Sequence, residues 1–129
     1  MAMKWLGSIF DGKGEDENAF PWHQLTELSQ LEAIQMESFQ RVVLIYKHST
    51  RCGISSVVLS RMERSKALLD AGISCYFLDL IRYRSLSNKI ADAYGIRHES
   101  PQVLLLSKGK VLWHGSHGAI TAPNILEQL

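Results

Sequence analysis

The stretch of this chain best suited to chemistry is Lys47-His48-Ser49-Thr50-Arg51-Cys52-Gly53-Ile54-Ser55. An apolar, β-branched run from Arg41 to Tyr46 precedes it, and Ile54, Val57, Val58, Met62 and Leu69 recur after it at helical spacing. That pattern predicts a buried strand, a turn, and a helix that opens within a residue or two of Cys52. The first N–H groups of a helix have no internal partner and carry partial positive charge, so they favour an adjacent anion. A thiolate is such an anion, and it is the reactive form of cysteine. Arg51 and Lys47 are cationic neighbours, and the Ser55 hydroxyl, about one helical turn on, is placed to donate to the sulfur. The expected product is a nucleophilic thiolate at neutral pH, flanked by Thr50, Arg51, Gly53 and Ile54 as candidate substrate contacts. The alternative is a buried structural cysteine, against which the Ser, Thr, Arg and Gly of an exposed turn argue.

Other elements must hold this turn in place. Ser29-Gln30-Leu31-Glu32 is a capping-box pattern, and Leu31, Ile34 and Phe39 follow it, which predicts a helix over about 29–39. Gly72 supplies a stop for the helix that starts at Cys52, and Ile73 to Leu80 reads as a second strand. Strand, crossover helix and strand in this order form a parallel, right-handed unit. Cys75 lies inside the second strand as a small buried hydrophobe. Ser85 to Tyr94 is the next helix, with Leu86, Ile90 and Ala93 inward and Gly95 at its end. Val103 to Leu106, Lys108-Gly109 and Val111 to Trp113 read as an antiparallel hairpin. Thr121 caps a closing helix with Pro123 in its first turn and Ile125, Leu126 and Leu129 as its apolar side. Phe20, Pro21, Trp22 and Leu25 fit either a short edge strand or an aromatic tuck. The sum is an α/β sandwich with a mixed central sheet, of the thioredoxin kind. Ligand crevices of open α/β sheets lie beyond the carboxyl ends of the parallel strands, where Cys52 falls.

Composition narrows the function classes. The 129 residues carry 14 Lys and Arg against 13 Asp and Glu, for a net charge of +1. These charges are interspersed, which argues against a nucleic-acid surface. The apolar run around Trp5, Leu6, Ile9 and Phe10 is too short for a signal peptide or a membrane span, so a cytoplasmic location without membrane partners is expected. A short helix packed on the domain edge suits those residues. Asp11 to Asn18 reads as a mobile loop, giving an extension over 1–20 and one domain over 21–129. Two cysteines are too few for a disulfide framework. His114 and His117, in a Gly-rich bend without a companion carboxylate or cysteine, read as solvated loop residues rather than zinc ligands. Asp79 is expected to cap a helix. The side taken by His48, near the thiol in sequence, depends on a strand alternation whose phase stays open.

Tyr94-Gly95-Ile96-Arg97, then Pro101, an apolar strand, a Lys-Gly turn and another strand resemble the second half of thioredoxins. His48-Ser49-Thr50 before the cysteine, Ser100-Pro101-Gln102, and Trp113-His114-Gly115-Ser116-His117-Gly118 are similar to the YtxJ-like monothiol bacilliredoxins, the bacilliredoxin C type. The similarity runs from roughly Trp22 to the C-terminus. It implies a thioredoxin-like fold, a cis peptide at Pro101, and substrate held by the Ser100 and Pro101 backbone. Typical members carry Cys-Pro-Ile-Ser where this chain has Cys52-Gly53-Ile54-Ser55. Glycine there resembles the Cys-Gly-Phe-Ser of monothiol glutaredoxins, some of which hold an iron–sulfur cluster with glutathione.

Ser55 stands where dithiol oxidoreductases keep a resolving cysteine, so exchange at Cys52 should stop at a mixed disulfide. The resemblance implies removal of bacillithiol-type caps from S-thiolated proteins, with bacillithiol or a similar small thiol as co-substrate, no tightly bound cofactor, and a second thiol or a reductase clearing the adduct. Two other readings are an iron–sulfur carrier that uses Cys52 with an external thiol in a bridged dimer, and a redox-inert adaptor of thioredoxin fold.

Overall fold

The apolar runs pair into one sheet. The computed structural model describes residues 19–129. Its elements are β1 (His23–Gln24), α1 (Ser29–Glu37), β2 (Val43–His48), α2 (Gly53–Glu63), α3 (Lys66–Leu69), β3 (Ser74–Asp79), α4 (Arg84–Tyr94), β4 (Gln102–Ser107), β5 (Lys110–Ser116), a 3-10 turn (His117–Ala119) and α5 (Ala122–Leu126). The strand order is β1-β3-β2-β4-β5. β1 and β2 both pair parallel with β3, whereas β2–β4 and β4–β5 are antiparallel. This is the mixed, helix-flanked sheet expected from the sequence. The expected N-terminal helix and the loop over 11–18 lie outside the described residues.

β2 is central, and all of its residues are buried, as a strand covered on both faces requires. Leu44 and Tyr46 face one layer with Val58, Met62, Leu68, Ile120 and Ile125. Val43 and Ile45 face the other with Leu25, Ile34, Leu86 and Ile90. The β2 register places His48 beside Asp79 on one side and Lys47 beside Gln102 on the other. One step further along the antiparallel pair, Pro101 meets the His48 end of β2. Sequence segments around residues 48, 79 and 101 therefore converge at one end of the sheet.

Several boundaries differ from expectation for local reasons. The capping box at Ser29 does not form; the Gln30 side-chain oxygen instead accepts from the Thr26 and Glu27 amides at 2.8 and 2.9 Å. α1 ends at Glu37, which leaves Phe39 outside the helix and exposed. The crossover is two helices, because the Ser65 hydroxyl accepts from the Leu68 amide at 3.1 Å and caps a new one. Val57 and Leu69, expected inside, are exposed. In α4 the inner face is Leu86, Ser87 and Ile90, with Ala93 exposed. Leu129 is exposed as well. The segment after Ala19 adopts both of its candidate forms: β1 pairs at the sheet edge, and Trp22 packs on Phe20 and Phe77 at 4.9 and 5.8 Å between ring centroids. Lys108 and Gly109, at φ 53° and 78°, make the tight turn of the β4–β5 hairpin. Thr121 caps α5 through the Asn124 amide at 3.1 Å.

Candidate active site

Cys52 is the N-cap residue of α2, in extended conformation at φ −116° and ψ 116°. It is half-buried, in contrast to Cys75, which is buried in β3 and has its thiol pushed up to about 12 by desolvation. The loop that carries Cys52 is wound by two serines. The Ser49 hydroxyl accepts from the Arg51 amide and its carbonyl from the Cys52 amide, each at 3.2 Å. The Ser55 hydroxyl accepts from the Ser49 amide at 3.2 Å. Beneath the first turn of α2, the fully buried Tyr46 donates its hydroxyl to the Ser55 carbonyl at 2.7 Å.

These bonds correct two expectations. The Ser55 side chain is fully buried and ties the loop back onto the helix, and its hydrogen bond is to a backbone amide rather than to the sulfur. A residue in the first helical turn can reach back to an upstream N–H in this way, as the acidic member of a capping box does. Lys47 lies on the opposite side of the sheet from α2, because it alternates with Tyr46 and His48. Its ammonium donates to the Ser87 carbonyl of α4 at 3.2 Å, so it is no neighbour of the thiol. Burial, with Arg84 nearby, brings its pKa down to about 8.

The remaining candidates lie on the Cys52 turn and on the loop before β4. Thr50, Arg51, Gly53 and Ile54 are exposed, and a Cβ added at Gly53 would meet nothing within 4 Å. The Ser100–Pro101 peptide is cis. Pro101 is buried, and its carbonyl accepts from the His117 amide at 3.1 Å. The 3-10 turn that starts at His117 packs on α2. Through this turn the proline loop and the Cys52 helix are fastened to one another. Ser100 and Pro101 form a bend that leads into β4 at the carboxyl end of the parallel strands.

His48 falls on the α2 side of the sheet, its ring 5.9 Å from Tyr46 and 5.3 Å from Phe77. Its Nδ1 is buried without a partner, and burial holds the imidazole below its usual pKa despite Asp79 and Glu63. The Asp79 carboxylate caps the turn into α4, accepting from the Ile81 and Arg82 amides at 3.1 and 3.2 Å. His114 and His117 are exposed. Among the described residues, no three His, Cys, Asp or Glu side chains gather as metal ligands, and no helix is long and apolar enough to cross a membrane. Tyr46 and Ser49 are structural members of the site that sequence reasoning passed over. A phenol at the end of the aliphatic run Val42 to Ile45 was the available signal for the first.

Similar folds occur among solved structures. One, described as a candidate oxidoreductase with a thioredoxin fold, is 28% identical with a TM-score of 0.72, covering 81% of this chain and 90% of the other. Thioredoxin from Trypanosoma brucei brucei is 16% identical with a TM-score of 0.64, covering 84% and 87%. Fasciola hepatica thioredoxin is 15% identical with a TM-score of 0.63, covering 81% and 93%. The family model for monothiol bacilliredoxin BrxC matches residues 23–125. That span holds the cysteine turn, the cis-proline loop and the whole sheet. The chain belongs to the monothiol bacilliredoxin BrxC family, and its chemistry is thiol redox.

Proposed function

We propose that this protein removes low-molecular-weight thiol caps, of the bacillithiol type, from S-thiolated proteins by thiol–disulfide exchange at Cys52. The observation that carries the reading is the pairing of a half-buried sulfur at the start of α2 with a fully buried serine, not a second sulfur, one turn later. The other cysteine, Cys75, is sealed in β3. The Cys52 thiolate attacks the sulfur of the cap, forming a Cys52–cap disulfide as the protein–cap disulfide breaks. The released protein thiolate takes a proton from solvent. One disulfide is consumed and one is made, so no external oxidant or reductant enters this step. A second small thiol then attacks the cap sulfur, returning Cys52 as thiolate and leaving as a symmetric disulfide; a reductase serves the same end. Substrate approaches along the Ser100–Pro101 edge, with Thr50, Arg51, Gly53 and Ile54 as the opposite wall. The cytoplasm, where small thiols accumulate, is the compartment this reading requires.

Intact-mass measurement after mixing with an S-bacillithiolated protein tests the proposal. A single cap should appear on the wild-type protein, and none on Cys52→Ser. A cap that persists in Cys52→Ser, or a wild-type protein that acquires none, overturns it.

A further inference from the structure

On the face of the sheet opposite α2, an aliphatic layer turns polar at one end. Val43, Ile45, Leu86, Ile90 and Leu104 fill most of that layer. The end that leads to Pro101 instead holds Lys47, Ser87 and Gln102, each 1% exposed or less. Polar groups buried among aliphatic ones cost free energy that only their hydrogen bonds offset. Three such bonds join this cluster to itself and to the loop before β4. The Lys47 ammonium donates to the Ser87 carbonyl at 3.2 Å, and the Ser87 hydroxyl shares a hydrogen bond with His98 Nδ1, also at 3.2 Å. The Gln102 side-chain amide donates to the Arg97 carbonyl at 2.9 Å. Lys47 and Gln102 are themselves cross-strand partners on β2 and β4.

The loop has few other ties. Its ends are held through the backbone, where the Ile96 amide donates to the Ala91 carbonyl and the Pro101 carbonyl accepts from the His117 amide, each at 3.1 Å. Between them, residues 97–100 make no backbone–backbone hydrogen bond with any described residue. Side chains from the buried cluster hold that stretch instead. The Gln102 bond closes the loop on its own flank, whereas the Ser87 bond fastens it to a separate element, α4. Ser87 is a fixed point for this purpose, since it lies on the inner face of the helix with Lys47 against its carbonyl.

We propose that His98 is a positioning residue for exchange with protein substrates: its hydrogen bond to Ser87 sets where the cis Ser100–Pro101 peptide stands, and so where the backbone of a capped protein docks. This inference rests on the cap-removing function proposed above. It also gives a use to a buried polar cluster, Lys47 included, that the exchange chemistry at Cys52 does not itself employ.

The test uses Ser87→Ala, His98→Ala, the double variant and His98→Asn. Alanine suits a helix interior, so Ser87→Ala should fold and lose only the hydroxyl. The asparagine amide can stand where Nδ1 does and keep the bond. Two cap donors separate docking from chemistry: an S-bacillithiolated protein, which has a backbone to dock, and bacillithiol disulfide, which has none. Cap uptake on Cys52 is followed by intact mass below saturation. Ser87→Ala and His98→Ala should each take the cap from the protein about three- to ten-fold more slowly, with uptake from bacillithiol disulfide within about two-fold of wild type. The double variant should match the single ones, because both break one contact, and His98→Asn should restore the wild-type rate. Unchanged uptake from the protein in Ser87→Ala, equal slowing with both donors, losses that add in the double variant, or a His98→Asn as slow as His98→Ala overturns the inference. A wild-type protein that takes no cap onto Cys52 marks the failure of the cap-removing function itself, and the inference falls with it.

Discussion

Replacing Lys47 by methionine should stabilise this protein at neutral pH. The Lys47 ammonium is fully buried, flanked in the sheet by Leu78 and Gln102, and makes one hydrogen bond, to the Ser87 carbonyl at 3.2 Å. The charge that acts on it is Arg84, a like charge on α4, and its neighbour His98, on the loop before β4, feels Lys47 and Arg84 together with the opposite charge of Glu99. Its pKa falls from 10.5 to about 8, chiefly through desolvation, and a shift of that size corresponds to about 3 kcal/mol against the charged form. Loss of the hydrogen bond to Ser87 costs the variant about 1–2 kcal/mol, so the net gain for Lys47→Met at pH 7 is about 1–2 kcal/mol. The pH dependence has a definite sign. Between about pH 8 and 10.5 the folded lysine has lost its proton while the unfolded one keeps it, so the unfolded state binds more protons and stability rises with pH. Urea unfolding of both proteins under reducing conditions, at pH 7 and pH 9.5, measures this. The difference between them should shrink at the higher pH, and contributions from other titrating groups cancel in the comparison. A variant less stable than wild type at pH 7 by more than about 1 kcal/mol, or a difference independent of pH, would refute the claim that the ammonium is uncompensated.

Gly53→Pro should fold and gain about 0.5–1 kcal/mol, because position 53 opens α2, where no helical N–H partner is lost, and an added Cβ meets open space; thermal melts check it. Tyr46→Phe removes the hydroxyl from a buried bond to the Ser55 carbonyl and should cost about 1–2 kcal/mol in urea unfolding. Native alkylation followed by peptide mapping should label Cys52 and spare Cys75. Cys75 also lowers stability as pH rises from 9.0 towards about 12, since the unfolded thiol ionises first, and Cys75→Ala should flatten that part of the profile.

Much of the site was legible because each signal was local. A β-branched run that gives way to helical spacing at a cysteine can hardly be anything but a strand, a turn and an N-cap, and Cys52 lies there. The Lys-Gly turn and the Thr121 cap rest on the same kind of short-range chemistry. What stayed hidden depended on phase and on path. Alternation along β2 separates Lys47 from Tyr46 and His48, but only the return of α2 over one face decides which side holds the thiol. The Ser55 hydroxyl had two candidate partners near at hand, and the loop drawn tight by Ser49 chose the amide. The break between α2 and α3 carries no proline or glycine; a serine cap made it.

The pairing of β2 with β4 joins residues more than fifty positions apart in sequence. A chain emerging from synthesis presents Cys52 long before the proline segment exists. Contacts of such long sequence separation are slow to form, so half-made copies carry the thiol without the proline loop. Under the proposed function, selective exchange is in this sense a property of the finished sheet, because an incomplete molecule has the sulfur but no edge with which to choose its disulfide.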